Sequence, residues 1–264
     1  MATMSALRNT LILILLAVLI SGCGAMRQDP TRDWSASQLY EEAKAALERG
    51  NFDQAVEYYE TLEARFPFGR HAQQGQLEIA YAYYKAQEPE MAIAAIDRFL
   101  QMNPRHPHAD YAYYLRGLTN YERDQSFLNR WIPQDQARRD AAPLRTAFQD
   151  FGTLVQYFPD SRYAQDSRER MVRLRNLLAA HEMHVADFYM RRGAWVAAAQ
   201  RGRYVLEHYD GSASVPDALE VMVRAYRELD MDDLAEDALR VLRQNFPDRA
   251  DELAALPHRI TAPA

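Results

Sequence analysis

Five alanines set the frame of this chain, because the same kinds of residue follow them at the same distances. Ala55 is followed at +4, +7 and +12 by Tyr59, Leu62 and Pro67, and Ala92 by Ile96, Phe99 and Pro104. Ala147 is followed by Phe151, Leu154 and Pro159, and Ala235 by Leu239, Leu242 and Pro247. Ala198 departs, with Gly202, Val205 and Asp210. Twelve residues before four of these anchors stand Ala43, Ala80, Ala186 and Val223, and three past the last three of those stand Tyr83, Tyr189 and Tyr226. Offsets of four and seven place large apolar side chains on one stripe of a helix, while a small residue lets a second helix cross closely. A proline cannot continue a helix and closes the unit it follows. The pattern predicts antiparallel helix pairs stacked one on the next.

This pattern resembles the tetratricopeptide repeat, a helix–turn–helix unit of 34 residues. Gly50 and Gly193 stand where the turn between the two helices is expected. The fold class is therefore all-α, a tetratricopeptide-repeat solenoid of five helix pairs. The anchors are unevenly spaced, at 37, 55, 51 and 37 residues. Repeat three carries its excess between Gly117 and Ala147, including the irregular apolar stretch from Asp124 to Pro133, which predicts a long loop insertion. The remaining excess lies between Pro159 and Gly193, where Asp160–Arg192 has neither Gly nor Pro. That predicts an extended helix before repeat four, or two helices abutting near His181.

Composition narrows the function classes. The 264 residues carry 31 Lys+Arg against 37 Asp+Glu, a net charge of −6, and lack the basic footprint that nucleic-acid binding needs. One cysteine permits no intramolecular disulfide and no thiolate zinc cluster. With 10 Gly and 12 Pro against 16 Tyr, the chain is helical rather than turn-rich.

At the N-terminus, Met1–Thr10 carries the single charge Arg8, and Leu11–Ile20 is ten uninterrupted apolar residues. Ten residues are too few to span a bilayer and fit the apolar region of a signal peptide. Ser21, Gly22 and then Cys23 resemble the bacterial lipobox, which implies removal of residues 1–22 and lipidation of Cys23. Several acyl chains attach a protein to a membrane without spanning it. Gly24 in place of aspartate implies, by resemblance to Gram-negative lipoproteins, sorting to the outer membrane.

Catalytic motifs are absent: no G-x-S-x-G, P-loop or G-x-G-x-x-G occurs. His181 and His184 stand at i, i+3, one residue short of H-E-x-x-H and with no third ligand in evidence, so packing is the better reading. No cofactor and no metal are implied. His106 and His108 flank Pro107 in a turn between repeats. Arg162–Arg175 holds five arginines against Asp166 and Glu169, a solvated helix face or a docking surface for an acidic partner.

In such solenoids the first helix of each pair lines an inner surface suited to extended ligands. Positions 5, 9, 12 and 13 give Tyr40, Lys44, Leu47 and Glu48 in repeat one, Leu77, Tyr81, Tyr84 and Lys85 in repeat two, and Tyr114, Leu118, Tyr121 and Glu122 in repeat three. Five tyrosines and two lysines resemble a peptide-reading face, since tyrosine supplies rigid amphipathic area at low entropic cost. The alternative is that some of them pack between repeats.

Taken with the lipobox, the segments Arg65–Gly69 (RFPFG), Gly75–Lys85 (GQLEIAYAYYK), Ala94–Phe99, Arg116–Asn120 and Gly193–Ala197 make nearly the whole chain similar to the BamD (ComL) family, the tetratricopeptide lipoproteins of outer-membrane β-barrel assembly. Departures concentrate in the 122–145 insertion and the C-terminal tail. The resemblance implies a non-enzymatic protein, lipid-anchored on the periplasmic face of the outer membrane. It would bind unfolded β-barrel precursors and dock on BamA and other assembly-complex lipoproteins. By motif, substrate contact falls on Phe66, Pro67, Phe68 and Gly69, beside the inner-face residues Tyr40, Tyr81, Tyr84, Lys85, Tyr114 and Tyr121. Partner contact falls on Trp195 and Arg201. The implied organisation is a signal peptide over 1–22, a lipidated linker over 23–34, a solenoid over 35–250 and a tail over 251–264. Within the solenoid, 35–161 faces substrate and 162–250 docks the partner. A second reading of the same architecture is an adaptor that scaffolds peptidoglycan enzymes.

Overall fold

The computed structural model describes residues 29–123 and 140–255, and those residues are helical, without strands. Five pairs follow one another: α1 (Ala36–Glu48) with α2 (Phe52–Arg65), α3 (Arg70–Lys85) with α4 (Pro89–Met102), α5 (Ala109–Glu122) with α6 (Ala142–Tyr157), α7 (Ala164–Arg191) with α8 (Trp195–His208), and α9 (Val215–Glu228) with α10 (Asp232–Asn245). A short α11 (Pro247–Ala254) closes the stack. Each helix packs chiefly on its chain neighbours, and first helices of successive pairs also touch, α1 on α3, α3 on α5 and α7 on α9.

The alanine frame is the core. Ala55, Ala92, Ala147 and Ala198 are fully buried and Ala235 nearly so, as are Tyr59, Ile96, Phe151 and Leu239 at +4 and Leu62, Phe99, Leu154, Val205 and Leu242 at +7. Opposite them Ala43, Ala80, Ala186 and Val223 are buried too. In pair three the corresponding position, 37 residues after Ala80, is Gly117. A Cβ built there would lie 2.7 Å from the Phe151 ring, so the large residue on α6 fills the space that an alanine methyl occupies elsewhere. Gly202 has the same logic reversed. A Cβ on it would meet the Ala218 carbonyl oxygen and Met222 Cγ, each at 2.7 Å, because α9 crosses α8 closely at that point. The departure of the fourth register is thus a tighter helix crossing.

Turns within the pairs repeat one device. Gly50, Gln87, Gly193 and Asp230 all have positive φ, at 77°, 63°, 69° and 56°. Around each, the amide after it donates to a carbonyl five residues back: Asn51 to Ala46 at 2.9 Å, and Glu88 to Tyr83, Ala194 to Tyr189 and Met231 to Tyr226 at 3.0 Å. This is the Schellman closure, in which a left-handed residue satisfies the last carbonyls of a helix. Only two of the four positions are glycine.

Turns between pairs use another. Phe66, Asn103, Phe158 and Phe246 cap the second helices with φ between −130° and −141° and ψ between 56° and 65°, outside the α region that a following proline disfavours in its predecessor. Tyr209 takes nearly the same conformation without a proline, and the left-handed Gly211 (φ 68°) completes that turn.

The extended helix is present as α7, which is also the first helix of repeat four. Aligning Ala186 on Ala43 shows α7 lengthened at its N-terminal end by residues 164–178, and it runs unbroken past His181. The solenoid does not end at 250: Pro247 both terminates α10 and opens α11, whose Ala250 and Leu253 bury on the last pair. Residues 29–34, in the expected linker, pack on the first pair. Arg65 donates to Thr31 (Oγ1, 3.0 Å) and pairs with Asp29, while the Trp34 ring lies 5.4 Å from that of Tyr58. The expected loop over 124–139, Cys23 and the end of the tail lie outside the described residues.

Candidate peptide groove and docking corner

The residues expected on the inner face of the first three pairs differ in what they can offer. Tyr81 and Tyr84 are partly exposed on α3, ring centres 6.2 Å apart, and the Tyr84 hydroxyl donates to Glu122 Oε2 at 2.7 Å. Tyr114 donates to Asp166 Oδ2 at 2.7 Å and stacks on Tyr163 at 4.6 Å. Tyr121 lies under the Arg170 guanidinium at 5.7 Å. Tyr40, by contrast, is only 6% exposed, packed against the rings of Tyr59 (6.0 Å) and His71 (5.4 Å), which leaves it little free surface. Lys85 is exposed but turned toward the start of α2, its ammonium 5.9 Å from the Phe52 ring.

Three residues of this face escape the four-position mapping. Tyr111 on α5 packs at 5.4 Å against Tyr163, which comes from the turn before α7. Glu78 sits among the tyrosines, its carboxyl pushed up by burial and only partly drawn back by Lys44 and His108. Periodicity alone could have found Glu78, because it stands three residues before Tyr81, on the same helix face. Burial, then the charge of Glu78, pushes up the hydroxyls of Tyr40 (to about 12), Tyr59 and Tyr111.

At the rim, Phe66–Gly69 forms the turn from α2 to α3. Phe66 packs on the core, Pro67 is exposed, and Phe68 projects with 92% of its surface exposed. Gly69 has φ 111°, a backbone region that side-chain-bearing residues rarely enter.

The second region is built on α6, α7 and α8. Trp195 is partly buried beside Tyr189, Met190 and the buried Ala198, Ala199 and Ala225, with Val196 exposed next to it. Arg201 meets an acid of its own chain. The Glu182 carboxylate, 2% exposed, accepts from Arg201 Nη1 through Oε2 and from Arg145 Nη2 through Oε1, both at 3.1 Å, while both arginine side chains remain 41% exposed. Arg201 is therefore not a free cation awaiting a partner's carboxylate. Glu182, which the sequence shows only as the middle of a histidine pair, is the residue that holds it.

The arginine-rich stretch is mixed. Arg170 pairs with Asp166 at 2.5 Å and Arg162 covers the Tyr163 ring at 4.7 Å, whereas Arg168 and Arg173 are exposed. Among the described residues no group of three or more His, Cys, Asp or Glu could hold a metal ion, and no helix is long and apolar enough to cross a membrane.

A family model described as YfiO, an outer membrane lipoprotein, matches residues 32–242. The outer membrane protein assembly factor BamD of Neisseria meningitidis serogroup B is 46% identical over 246 residues, covering 91% of this chain and 92% of that one. The protein of the same name from Vibrio cholerae is 38% identical over 237 residues, covering 90% and 98%. Among solved structures, a tetratricopeptide repeat protein from Parabacteroides merdae aligns over 83% of this chain and 69% of its own, with 17% identity and a TM-score of 0.40.

Proposed function

The chain belongs to the BamD family of outer membrane lipoproteins, and from that premise we propose that it is a lipid-anchored subunit of the machinery that assembles outer membrane proteins. In this reading it is a non-enzymatic factor held on the periplasmic face through Cys23. It binds unfolded β-barrel precursors along the first three helix pairs and docks on BamA, beside other lipoproteins, through the pair around Trp195 and Arg201.

The observation that most supports it is the aromatic inner face. Tyr81, Tyr84, Tyr111 and Tyr114 run along α3 and α5 with partly open rings, and Phe68 stands exposed at the rim. Such a row can take the alternating side chains of an extended chain without reading one sequence. A solenoid repeat contacts mainly its neighbours, so two binding regions separated along the stack can act independently.

The test titrates two ligands, a peptide from the last strand of a barrel precursor and the periplasmic part of BamA, against the full lipoprotein in detergent. Tyr81→Ala with Tyr84→Ala should weaken the peptide and spare BamA, and Arg201→Gln should do the reverse. If each variant loses both ligands equally, the two regions are not separate and the reading fails.

A further inference from the structure

The turns that follow the five second helices can be compared position by position. Thirteen residues past the alanine anchors stand Phe68, Arg105, Asp160, Gly211 and Asp248, each directly after the proline or, in the fourth turn, after Asp210. All five are exposed. Four of them are charged or lack a side chain, so water suits them. The fifth is a phenylalanine with 92% of its surface open. A single exposed apolar side chain is ordinary on a protein surface, and what gives this one a meaning is its place.

The chain that leads back to Cys23 leaves the fold at the foot of this same turn. Arg65, the last residue of α2, donates to Thr31 Oγ1 at 3.0 Å and to the Thr31 carbonyl, and pairs with Asp29. Thr31 is buried, and its amide donates to Asp29 Oδ1 at 2.9 Å, so the segment is tied where it reaches the solenoid. Asp29 is thereby held beside residue 65, three residues before Phe68 and at most about 10 Å of chain from it. Cys23 stands six residues before Asp29, a reach of about 20 Å when extended. The other four turns lie farther along the stack. Around Phe68 the corner also exposes Pro30, Arg32, Asp33 and Arg70, and neither arginine forms an ion pair among the described residues. An aromatic tip flanked by arginines suits a bilayer surface, with the ring at the acyl boundary and the guanidinium groups among phosphates.

We propose that Phe68 inserts into the surface of the bilayer that holds the lipid anchor, with Arg32 and Arg70 among its headgroups. It rests on the reading of Cys23 as that anchor, and it gives Phe68 lipid rather than unfolded polypeptide to touch. Acyl chains on a linker fix where a protein is and leave its orientation free. A second contact at Phe68 fixes the corner. Helix α3 begins two residues later at Arg70 and carries Tyr81 to about 17 Å along its axis, so the aromatic face starts at a set distance from the membrane.

The experiment reconstitutes the full lipoprotein in vesicles of phosphatidylethanolamine and phosphatidylglycerol that include a nitroxide-headgroup lipid. Cys23 is the only native cysteine and is acylated in this reading, so a cysteine introduced by substitution takes a fluorophore alone. The label is placed by Gln73→Cys, on the exposed side of α3 near the tip, or by Asp248→Cys, in the turn at the far end of the stack. Quenching at 73 should be about two-fold stronger than at 248, as for a group held close to the headgroups. Phe68→Ser, whose lost ring takes no part in the core, should abolish most of that excess, and Phe68→Trp should keep it. Equal quenching at both positions, or strong quenching at 73 that survives Phe68→Ser, overturns the contact and leaves the anchor standing. If Phe68→Ser weakens a barrel-derived peptide while the quenching at 73 stays as it was, the occupant is polypeptide and the proposal is overturned. Protein that does not stay with the vesicles overturns the anchor reading and the contact with it.

Discussion

Glu182 and Arg201 face each other across α7 and α8 with the acid buried and the base half in solvent, at 3.1 Å. Arg145 closes on the other oxygen from α6, so one carboxylate joins three helices. The charges are unequal in their need. Either arginine can turn to water if the contact is lost, whereas Glu182 cannot.

Single and double substitutions should therefore be strongly non-additive. Arg201→Gln alone should cost about 1 kcal/mol or less, because Arg145 remains and the lost side chain is 41% exposed. Arg145→Gln with Arg201→Gln strands a buried charge and should cost about 3–5 kcal/mol. Urea unfolding midpoints of the two singles and the double decide this, and additive singles would mean that the acid finds relief elsewhere. Charge reversal at 201 would add a second carboxylate beside Glu182, so loss of a partner by Arg201→Glu would not separate docking from folding.

The core frame makes a sharper forecast at small residues. Ala55→Leu, Ala92→Leu and Ala198→Leu should each cost roughly 1–3 kcal/mol by overpacking. Gly202→Ala should also destabilise, since its methyl would meet the Ala218 carbonyl, a backbone atom with nowhere to go. Gly152→Ala should be neutral or stabilising by up to about 1 kcal/mol, as its Cβ would only touch Met171 Cε at 3.5 Å. Thermal melts that ranked Gly202→Ala with Gly152→Ala would contradict the close crossing of α8 and α9.

Left-handed turns give a test with both signs. Gln87→Gly removes the steric cost of positive φ and should stabilise by up to about 1 kcal/mol, while Gly50→Ala and Gly193→Ala should lose a similar amount. Denaturation curves of the three variants measure it. A loss at Gln87→Gly would show that its side chain matters more than its backbone.

Titration of Glu78 has a definite sign. Its folded pKa is raised above the ordinary 4.5, mainly by burial, so the folded chain holds this proton more tightly than the unfolded one. Its effect on stability is favourable below the ordinary value and is lost as pH rises toward the folded one. Glu78→Gln should then melt higher than wild type at pH 7 and at the same temperature in acid below pH 4.5. A variant that melted lower at pH 7 would show the charged acid to be stabilising where it stands.

The anchor is read by mass. Protein extracted from membranes should begin at Cys23 and carry its acyl groups, and Cys23→Ser should free it from the membrane without altering the melt. An unmodified Cys23 would remove the anchoring claim.

How much of this was legible in the sequence follows from range. Alanine, large apolar and proline at offsets of four, seven and twelve are local, so the helix pairs and their core could be read directly. Even the departure at Gly202 was visible, although its cause, the backbone of α9, lies on another helix. Gln87 and Asp230 were not legible as turn residues, because the backbone hydrogen bonds of the closure do not depend on the side chain. Tyr40 shows the limit of periodicity: it shares the inner phase with Tyr81 but is covered by His71 from the next pair. Arg145, Glu182 and Arg201 are far apart in the chain, and only the folded stack makes them one group.

Finally, α7 acts as a keyed shaft. Asp166 near one end meets Tyr114, and Glu182 farther along meets Arg145 and Arg201. Every residue inserted between them would advance the helix by about 1.5 Å and turn it by about 100°, carrying Glu182 away from both arginines. Seven residues would nearly restore the phase, with an error of about 20°. Those seven residues would still carry Glu182 about 10.5 Å along the axis, past Arg145 and Arg201, so the length of α7 between its two contacts is fixed in reach as well as in phase.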